Sequence, residues 1–429
     1  MLPLLTEPAD LLADYRSGGS FLFASRRGVL LAEGAAALVA AGPWGLAADS
    51  ISGELAGYTG LDQFAGAGWT GTRRSPIAVG VVPFDLNRPG RLVVPAAVRE
   101  SEPLDVPVAR PRNPAAAPDD SLDPLAPHPH PEPEMAVRAS GRLEALPTPA
   151  DYAAGVARAV RMLRAGELDK VVLARTLRVP GPVDAAALLR RLARRDPQAF
   201  VFGAQAPLPA IGQPGVYGSV GGTLVGASPE LLLSRRGPLV VSNPLAGSAA
   251  RSADPQEDRR RAAALLASAK DAHEHAVVVG AVADALRPFC LGLDVPAAPS
   301  LIRTATMWHL STRISGWLAD PSVSSLRLAA ALHPTPAVCG WPTSAARAAL
   351  NELEPFDRGS YTGLVGWCDA EGDGEWALAI RCAEIASDGS LRLFAGAGIV
   401  AESRPADELA ETSAKFRTLG RAMGLGDDL

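Results

Sequence analysis

The charged side chains best placed to do chemistry lie in two helical segments. In SAKDAHEHAVVV, residues 268–279, Glu274 stands between two histidines just before an apolar run. Near the end of the chain Glu408, Glu411 and Lys415 are spaced i, i+3 and i+7, which places them on one face of a helix. Two helices that each offer a carboxylate predict a Mg²⁺ site, because this cation is usually held by one or two carboxylates while substrate oxygens complete its shell.

The histidines beside Glu274 do not predict a zinc site. Residues i and i+2 of a helix project roughly 200° apart, whereas two histidines that chelate one ion from a helix are spaced i, i+4. His273 and His275 therefore cannot bind the same ion, and Glu274 paired with Glu411 for Mg²⁺ is favoured. The histidines of the proline-rich stretch APHPHPEPEM lack organised partners and predict no metal site either.

Three further charged residues lie in or beside apolar strand patterns. Lys170 opens DKVVLART, where partial desolvation would favour the neutral amine that can act as a general base. Glu230 in GASPELLL would have a raised pKa if buried and could then act as a general acid. Arg381 in ALAIRCAEI needs an anion, which is either a substrate carboxylate or an acidic side chain. Taken alone, each of these residues is also compatible with a structural role.

The glycine-rich stretch FAGAGIV, residues 394–400, precedes a helix but lacks the spacing of a dinucleotide-binding fingerprint. Its small residues would let backbone N–H groups approach an anionic oxygen, or would simply allow close packing of strands. A nucleotide-binding protein is disfavoured, because the stretch has neither a phosphate-loop lysine nor an acidic partner for a ribose.

The elements that must position these residues predict an α+β fold with largely antiparallel sheets. Short strands separated by turn residues fill the first 100 residues or so, and later strands are often joined by tight turns. Predicted strands lie at residues 21–24, 28–34, 78–85, 91–95, 169–176, 200–204, 217–236, 301–318, 360–369, 375–385 and 391–400, the last three as a meander. Predicted helices lie at residues 148–166, 183–195, 254–286 (continuous or with one break), 343–353 and 405–424.

Two helix starts carry capping signals. Asp254 is the predicted N-cap of a helix with Pro255 at its first position, and Glu257 is the predicted partner of Asp254 in a capping box. Ser403 is predicted to cap the last helix.

Composition predicts one integrated globular domain. The 429 residues are 48% hydrophobic, which is ample for a large core. Residues 1–145 form its β-rich N-terminal half, and residues 146–429 form the region that carries the chemistry. A proline-rich loop at about 102–135 interrupts the first half, because so many prolines neither join a sheet nor sustain a helix.

Charge and hydropathy exclude several classes of partner. The net charge is −5, and basic residues are not gathered into a patch with aromatics, which argues against nucleic acid. No apolar run reaches the roughly 18–20 residues of a membrane span, and the N-terminus lacks the pattern of a secretory signal. The four cysteines are widely spaced and predict reduced thiols. A cytoplasmic protein is expected.

Ten motifs, in their order along the chain, resemble those of the chorismate-utilising enzymes, and most closely those of isochorismate synthases that feed catecholate siderophores. They are DKVVLAR, GASPELLL, NPLAGSAAR, SAKDAHEH, WHLST, LHPTPAVCG, DRGSYTGLVGWCD, GEWALAIRCA, FAGAGIVAES and ELAETSAK. The resemblance implies two stacked antiparallel sheets flanked by helices, with the site between them. It implies an isomerase that adds water at C2 of chorismate while hydroxide leaves C4, with Mg²⁺ as cofactor.

The resemblance also implies roles for individual residues. Lys170 matches the base that activates water, and Glu230 matches the acid that protonates the departing hydroxyl. Glu274 and Glu411 match the Mg²⁺ ligands, with Glu408 acting through water. The implied substrate pocket comprises Arg381 and Tyr361 at the enolpyruvyl carboxylate, Gly247, Ser248, Gly396 and Gly398 at the ring end, and His309, Ala337, Val338, Ile380 and Lys415.

Alternatives within and outside this family stay open. A salicylate synthase would use the same water chemistry and then eliminate pyruvate, and a non-catalytic member would keep the fold alone. Relatives that install ammonia differ at the position of Lys170, and the chain carries no amidotransferase domain, so no amidotransferase subunit is expected. The resemblance favours a monomer that binds only a small-molecule substrate.

Overall fold

The architecture follows from a computed structural model that describes residues 8–39, 43–58, 69–70, 75–104, 143–206 and 222–425. The predicted proline-rich loop lies outside the described residues from position 105 onwards, as does the start of the strand region predicted at 217–236. Within the described ranges, no helix has the length and apolar character needed to cross a membrane.

Short strands dominate the described chain, with helices concentrated after residue 148. The strands are β1 (Ser20–Ser25), β2 (Gly28–Glu33), β3 (Ala37–Leu38), β4 (Trp69–Thr70), β5 (Ile77–Val82), β6 (Arg91–Val94), β7 (Ala97–Ser101), β8 (Glu144–Leu146), β9 (Lys170–Val179), β10 (Phe200–Gln205), β11 (Thr223–Ser228), β12 (Leu231–Arg236), β13 (Leu239–Asn243), β14 (Leu245–Ala250), β15 (Cys290–Asp294), β16 (Ser300–Arg303), β17 (Met307–Ser311), β18 (Ile314–Leu318), β19 (Gly340–Trp341), β20 (Leu364–Asp369), β21 (Gly374–Leu378), β22 (Cys382–Ile385) and β23 (Leu391–Ile399). The helices are α1 (Pro8–Asp14), α2 (Trp44–Ala47), α3 (Ile51–Ala56), α4 (Pro149–Arg164), α5 (Ala185–Arg195), α6 (Pro255–Ala267), α7 (Ala269–Leu286), α8 (Ser325–Leu332), α9 (Thr343–Leu353) and α10 (Pro405–Ala422).

Two large sheets and one small sheet organise these strands. An eleven-stranded sheet runs β19-β9-β23-β22-β11-β10-β1-β2-β7-β4, with β8 added beside β9. A nine-stranded sheet runs β15-β18-β13-β12-β21-β20-β5-β6-β3, and a small sheet runs β14-β17-β16. The strand pairs are antiparallel except for β4 with β7. The predicted antiparallel α+β character is therefore confirmed.

Alternation along the strands gives each large sheet two apolar faces. In β1, Phe21 and Phe23 belong to a core shared with Val79 and Val365 of the nine-stranded sheet. Leu22, between the two phenylalanines, belongs instead to a cluster with residues of α1, α5 and α10. Successive side chains of a strand point to opposite faces, so the two sheets stack face to face and helices cover the outer side of the eleven-stranded sheet.

The predicted meander over residues 360–400 is wrong. β20 and β21 pair within the nine-stranded sheet, whereas β22 and β23 pair within the eleven-stranded sheet. The chain crosses from one sheet to the other at residues 379–381, where Arg381 has a φ of 48°. ALAIRCAEI is almost continuously apolar because both sheets bury it, so its pattern did not reveal the break.

A second crossing lies in the region predicted as strand at 217–236. β11 belongs to the eleven-stranded sheet and β12 to the nine-stranded sheet, and Glu230 lies at the crossing between them. The two crossings run side by side, since the Leu378 N–H donates to the Glu230 carbonyl and the Ala227 N–H donates to the Arg381 carbonyl. Glu230 and Arg381 are thus brought close together by the way the chain changes sheets.

The capping predictions are right in part. Asp254 caps α6 by accepting a hydrogen bond from the Gln256 N–H. Its partnership with Glu257 is wrong, because the Glu257 carboxylate accepts instead from two arginines of its own helix. Ser403 is not the cap of α10 either; the helix follows Arg404, and the Ser403 hydroxyl accepts from the Val400 N–H.

Candidate active site

A polar cleft forms where β9, β14, β17, β23, α7 and α10 meet the two crossings. It is lined by Val172, Pro229, Glu230, Leu245, Ala246, Gly247, Ser248, Glu274, His309, Ala337, Val338, Tyr361, Thr362, Ile380, Arg381, Phe394, Ala395, Gly396, Gly398, Glu411 and Lys415. All of the predicted substrate-pocket residues are among them. So many side chains from distant parts of the chain make this cleft the candidate active site.

Lys170 and Glu274 face each other at one side of the cleft. Lys170 is the first residue of β9 and is 1% exposed, and its Nζ lies 2.9 Å from Oε1 of Glu274 on α7. The approach has ion-pair distance without the angles of a hydrogen bond, so the amine keeps its donors for another partner. Lys170 itself lies just behind the surface of the cleft rather than in its lining.

Glu230 is a fully enclosed carboxyl group. Its Oε1 accepts a hydrogen bond from the Leu245 N–H at 3.2 Å. Burial raises the pKa of Glu230 to about 7, although the Leu245 N–H and the charge of Lys170 act in the opposite direction. Near neutral pH the group is therefore able to give up a proton, as a general acid must.

α10 contributes a carboxylate and an amine one helical turn apart. Lys415 Nζ lies 2.6 Å from Glu411 Oε1 and donates to the Gly396 carbonyl at 2.8 Å. The Ser248 hydroxyl donates to the same carboxylate oxygen at 3.2 Å. Burial acts to raise the pKa of Glu411, but Lys415 outweighs it and holds the pKa below its usual range. Glu411 is therefore ionised, and it lies in the lining of the cleft.

Glu408, one turn before Glu411, points towards α7 rather than into the cleft. It is 1% exposed, and Lys270 on α7 donates to its Oε1 at 2.9 Å. Burial and the negative charge of Glu411 raise the pKa of Glu408. This buried ion pair ties together the two helices that carry the acidic groups.

Arg381 is a buried guanidinium whose hydrogen bonds are incomplete. Its Nη2 lies 3.2 Å from His309 Nε2, and its Nε is buried with no hydrogen-bond partner among the described residues. Burial and the neighbouring charges of Arg381 and Lys415 lower the pKa of His309 well below its ordinary value, so the imidazole is neutral. The unsatisfied donor is suited to an anionic ligand such as a carboxylate.

Small residues let the walls approach closely. A Cβ at Gly398 would lie 2.3 Å from Oε1 of Glu274, and one at Gly396 would lie 2.9 Å from the Tyr361 hydroxyl. Gly247 has a φ of +77°, and a Cβ there would lie 2.9 Å from the Cβ of Asp271. The glycines singled out from the sequence therefore leave space that any larger residue would fill.

Sequence reasoning missed several residues at or beside the cleft. Thr362 lines it, Lys270 pairs with Glu408, and Asp271 packs against Gly247. Burial raises the pKa of Asp271, and the charge of Glu274 adds to the effect. The spacing of Asp271 and Glu274, three residues apart on one helix, was a signal available in the sequence, whereas the contact of Lys270 with Glu408 depends on packing between helices.

The histidine doublet behaves as the helical geometry requires. His275 is buried and lies 2.7 Å from the Thr312 hydroxyl, whereas His273 is exposed on the other side of α7. The two imidazoles do not converge, which agrees with the exclusion of zinc.

The fold and the cleft together define a class of enzyme. The sequence profile described as "Chorismate binding enzyme" matches residues 125–424, more than half of the chain. The chain belongs to this family of chorismate-binding enzymes, and the resemblance seen in its motifs is confirmed.

Individual relatives show which members of the family this chain is similar to. The isochorismate synthase DhbC of Bacillus subtilis is 49% identical over 422 residues, covering 98% of this chain and 97% of that protein. The vibriobactin-specific isochorismate synthase of Vibrio cholerae is 41% identical over 353 residues, covering 82% and 80%. The crystal structure of DhbC from Bacillus anthracis superposes with a TM-score of 0.83 at 42% identity, covering 98% of this chain and all of that one. The predicted fold class is thereby confirmed.

Proposed function

We propose that this protein is an isochorismate synthase, which converts chorismate to isochorismate. The observation that carries the proposal is the presence at one cleft of a buried carboxyl, Glu230, in its lining and a buried amine, Lys170, just behind it, together with Arg381, whose Nε has no hydrogen-bond partner among the described residues. An acid and a base in different environments are what an exchange of hydroxyl groups requires. The relatives named above support the same reaction.

In this proposal Lys170 and Glu230 act as a pair. Water attacks C2 of the ring, and the Lys170 amine takes its proton. The ring double bonds shift as the C4 hydroxyl leaves, and the Glu230 carboxyl protonates that hydroxyl so that it departs as water. One water is consumed and one is released, so the substrate and product are isomers.

The substrate is held by its two carboxylates. Arg381, with its unsatisfied Nε, and Tyr361 would bind the enolpyruvyl carboxylate, beside the neutral His309. Tyr361 is fixed by stacking on Phe394, with ring centroids 4.9 Å apart. Gly396 adds no side chain beside the Tyr361 hydroxyl, which leaves that space for the ring end.

The ring carboxylate requires a positive partner, and Mg²⁺ suits the available donors. Glu274 and Glu411, which line the cleft, would hold the cation; Glu408, paired with Lys270 outside the lining, would reach it only through water. In the described part of the chain no three acidic, histidine or cysteine side chains form a ready-made metal site. Two carboxylates completed by water and substrate oxygens are a typical Mg²⁺ environment. When bound, the cation supplies charge stabilisation at the conjugated carboxylate.

Incubation with chorismate, with and without Mg²⁺, tests the function directly. Mg²⁺-dependent isochorismate without pyruvate is the expected result. Salicylate together with pyruvate would reassign the protein as a salicylate synthase, and absence of turnover would contradict the proposal.

Use of the product for 2,3-dihydroxybenzoate siderophores is part of the proposal. The cytoplasmic location and the monomeric state of the protein stay predictions.

Calorimetric titration with Mg²⁺ in the presence of chorismate tests the ligands separately. Glu411→Gln keeps the shape of the side chain but removes its charge, so Mg²⁺ affinity should fall by at least about 10- to 100-fold. Glu257→Gln on α6, which lies outside the cleft, is the matched control and should bind Mg²⁺ as the wild type does. Equal affinities of the two variants would exclude Glu411 as a ligand.

A further inference from the structure

A buried ion pair lies immediately behind one wall of the cleft. Arg358, in the motif DRGSYTG, meets Glu354 at the end of α9 through two hydrogen bonds: Nε to Oε2 at 2.8 Å and Nη2 to Oε1 at 2.6 Å. The two side chains are 3% and 5% exposed. Neither residue is in the lining of the cleft, and the donors of Arg358 are directed at protein acceptors.

The remaining donors of Arg358 reach three separate parts of the wall. Nη2 donates to the Val172 carbonyl in β9 at 2.6 Å, and Nη1 donates to the Val338 carbonyl at 2.6 Å and to the Thr362 hydroxyl at 3.3 Å. All three acceptor residues line the cleft. Glu354 adds a fourth connection, since its Oε1 accepts from the Ala174 N–H of β9 at 2.8 Å.

One of these contacts bears on backbone strain. Thr362 has a φ of 61°, which is unfavourable for a β-branched residue. Its N–H donates to the Ala379 carbonyl at 2.8 Å, and the Ala379 N–H donates to the Gly363 carbonyl at 2.8 Å. Ala379 begins the crossing that ends at Arg381. The hydrogen bond from Arg358 to Thr362 therefore stabilises a residue that is itself bonded to residues 379–381, the segment that places Arg381 in the cleft.

We infer that Arg358 is a positioning residue that fixes the Val172, Val338 and Thr362 segments in the geometry the reaction needs. This inference rests on the isochorismate synthase function proposed above. A buried ion pair contributes little net stability compared with apolar packing, so stability alone does not account for it. The planar fork of arginine, with five donors in fixed directions, is what allows one side chain to bind all of these acceptors, and lysine cannot replace it.

Arg358→Lys is the test, because lysine keeps a positive charge beside Glu354 but cannot reach all three wall segments. Arg235→Lys is the matched control: Arg235 is 3% exposed, donates to the carbonyls of Glu371 and Pro321, and lies outside the cleft. We expect kcat/KM for chorismate to fall by about 10- to 100-fold in Arg358→Lys. Arg235→Lys should keep wild-type kinetics at a temperature well below the melting points of both variants.

Hydrogen exchange of the peptide covering residues 360–381 provides a readout that does not depend on turnover. Exchange at the Thr362 and Ala379 amides should be faster in Arg358→Lys than in the wild type and unchanged in Arg235→Lys. Equal kinetics and equal exchange in the two variants would overturn the inference. If the wild type lacked turnover, the proposed function would fail, while the exchange measurement would still decide the positioning role.

A double variant keeps the test decisive if Arg358→Lys does not fold. Arg358→Leu with Glu354→Gln removes both charges together, and the glutamine oxygen still accepts from the Ala174 N–H. The same losses of kcat/KM and of exchange protection are expected, because leucine cannot make the three hydrogen bonds to Val172, Val338 and Thr362. A folded double variant with wild-type kinetics would contradict the positioning role.

Discussion

The environment of Glu230 determines what this residue can do. A carboxyl with a pKa of about 7 is partly protonated at neutral pH, whereas an exposed glutamate would be fully ionised. Glu230→Gln keeps an oxygen for the Leu245 N–H but has no proton to donate. We expect kcat to fall by about 10²- to 10⁴-fold with little change in KM, measured by steady-state kinetics with chorismate.

Glu375→Gln is the matched control for that substitution. Glu375 is also buried and accepts a hydrogen bond from the Ser25 hydroxyl at 3.0 Å, but it lies in β21, away from the cleft. Its variant should keep the wild-type kcat. A Glu230→Gln variant as active as Glu375→Gln would show that another group donates the proton.

The same pKa predicts how the reaction depends on pH. The acid must be protonated, and the raised pKa means that Glu230 loses its proton as the pH rises through about 7. We therefore expect the profile of log(kcat/KM) against pH, measured from pH 5.5 to 9, to bend downwards near pH 7, with its slope falling by one as Glu230 ionises. A profile with no bend near pH 7 would argue against Glu230 as the acid.

Residue types in the sequence predict part of the candidate site. Lys170, Glu230 and Arg381 were recognisable because a charge in an apolar strand pattern needs a partner or a function. Arg358 gave no such signal, since it follows a turn-like sequence where exposed arginines are common. Its role depends on acceptors supplied by three distant segments, and their convergence is a property of the fold rather than of the local sequence.

At the scale of elements, the closeness of β23 to α7 is the feature most easily tested. A Cβ at position 398 would lie 2.3 Å from Glu274 Oε1 and 3.0 Å from Lys170 Cε. Gly398→Ala should therefore separate the Lys170–Glu274 pair and lower kcat/KM by at least about 10²-fold, since small displacements of reacting groups are costly. Steady-state kinetics would measure the loss of kcat/KM, and a melting curve would show how far the added Cβ destabilises the fold.

Gly155→Ala is the control for that glycine substitution. Gly155 lies in α4, where an added Cβ meets nothing within 4 Å. Alanine in a helix interior is favoured over glycine by about 0.5–1 kcal/mol, so this variant should be slightly more stable and fully active. Wild-type activity in Gly398→Ala would mean that the wall of the cleft relaxes easily.

Most elements were predictable from periodicity and turn signals, but sheet membership was not. The bounds of α9 and the start of β9 agree with the prediction, because each has a clear boundary and a uniform pattern. β21 and β22 were predicted as one strand, since residues buried in two different sheets look the same as residues buried in one. Only the positive φ at Arg381 separates them, and arginine carries no signal for that conformation.

At the scale of the whole molecule, the N-terminal half is built into both large sheets. β1 pairs with β10 of the later half, and β5 pairs with β20. The predicted single integrated domain should therefore unfold in one cooperative step. Differential scanning calorimetry should give a single transition. Two resolved transitions would show that residues 1–145 fold as a separate unit.

The two crossings between the sheets have a consequence for how the enzyme matures. Glu230 and Arg381 reach the cleft only from segments whose ends are anchored in different sheets. A chain in which one sheet had formed and the other had not would hold neither residue in place. Newly made protein should therefore have no activity until both large sheets have formed and packed together. Recovery of turnover during refolding should report completion of the native state rather than formation of either sheet alone.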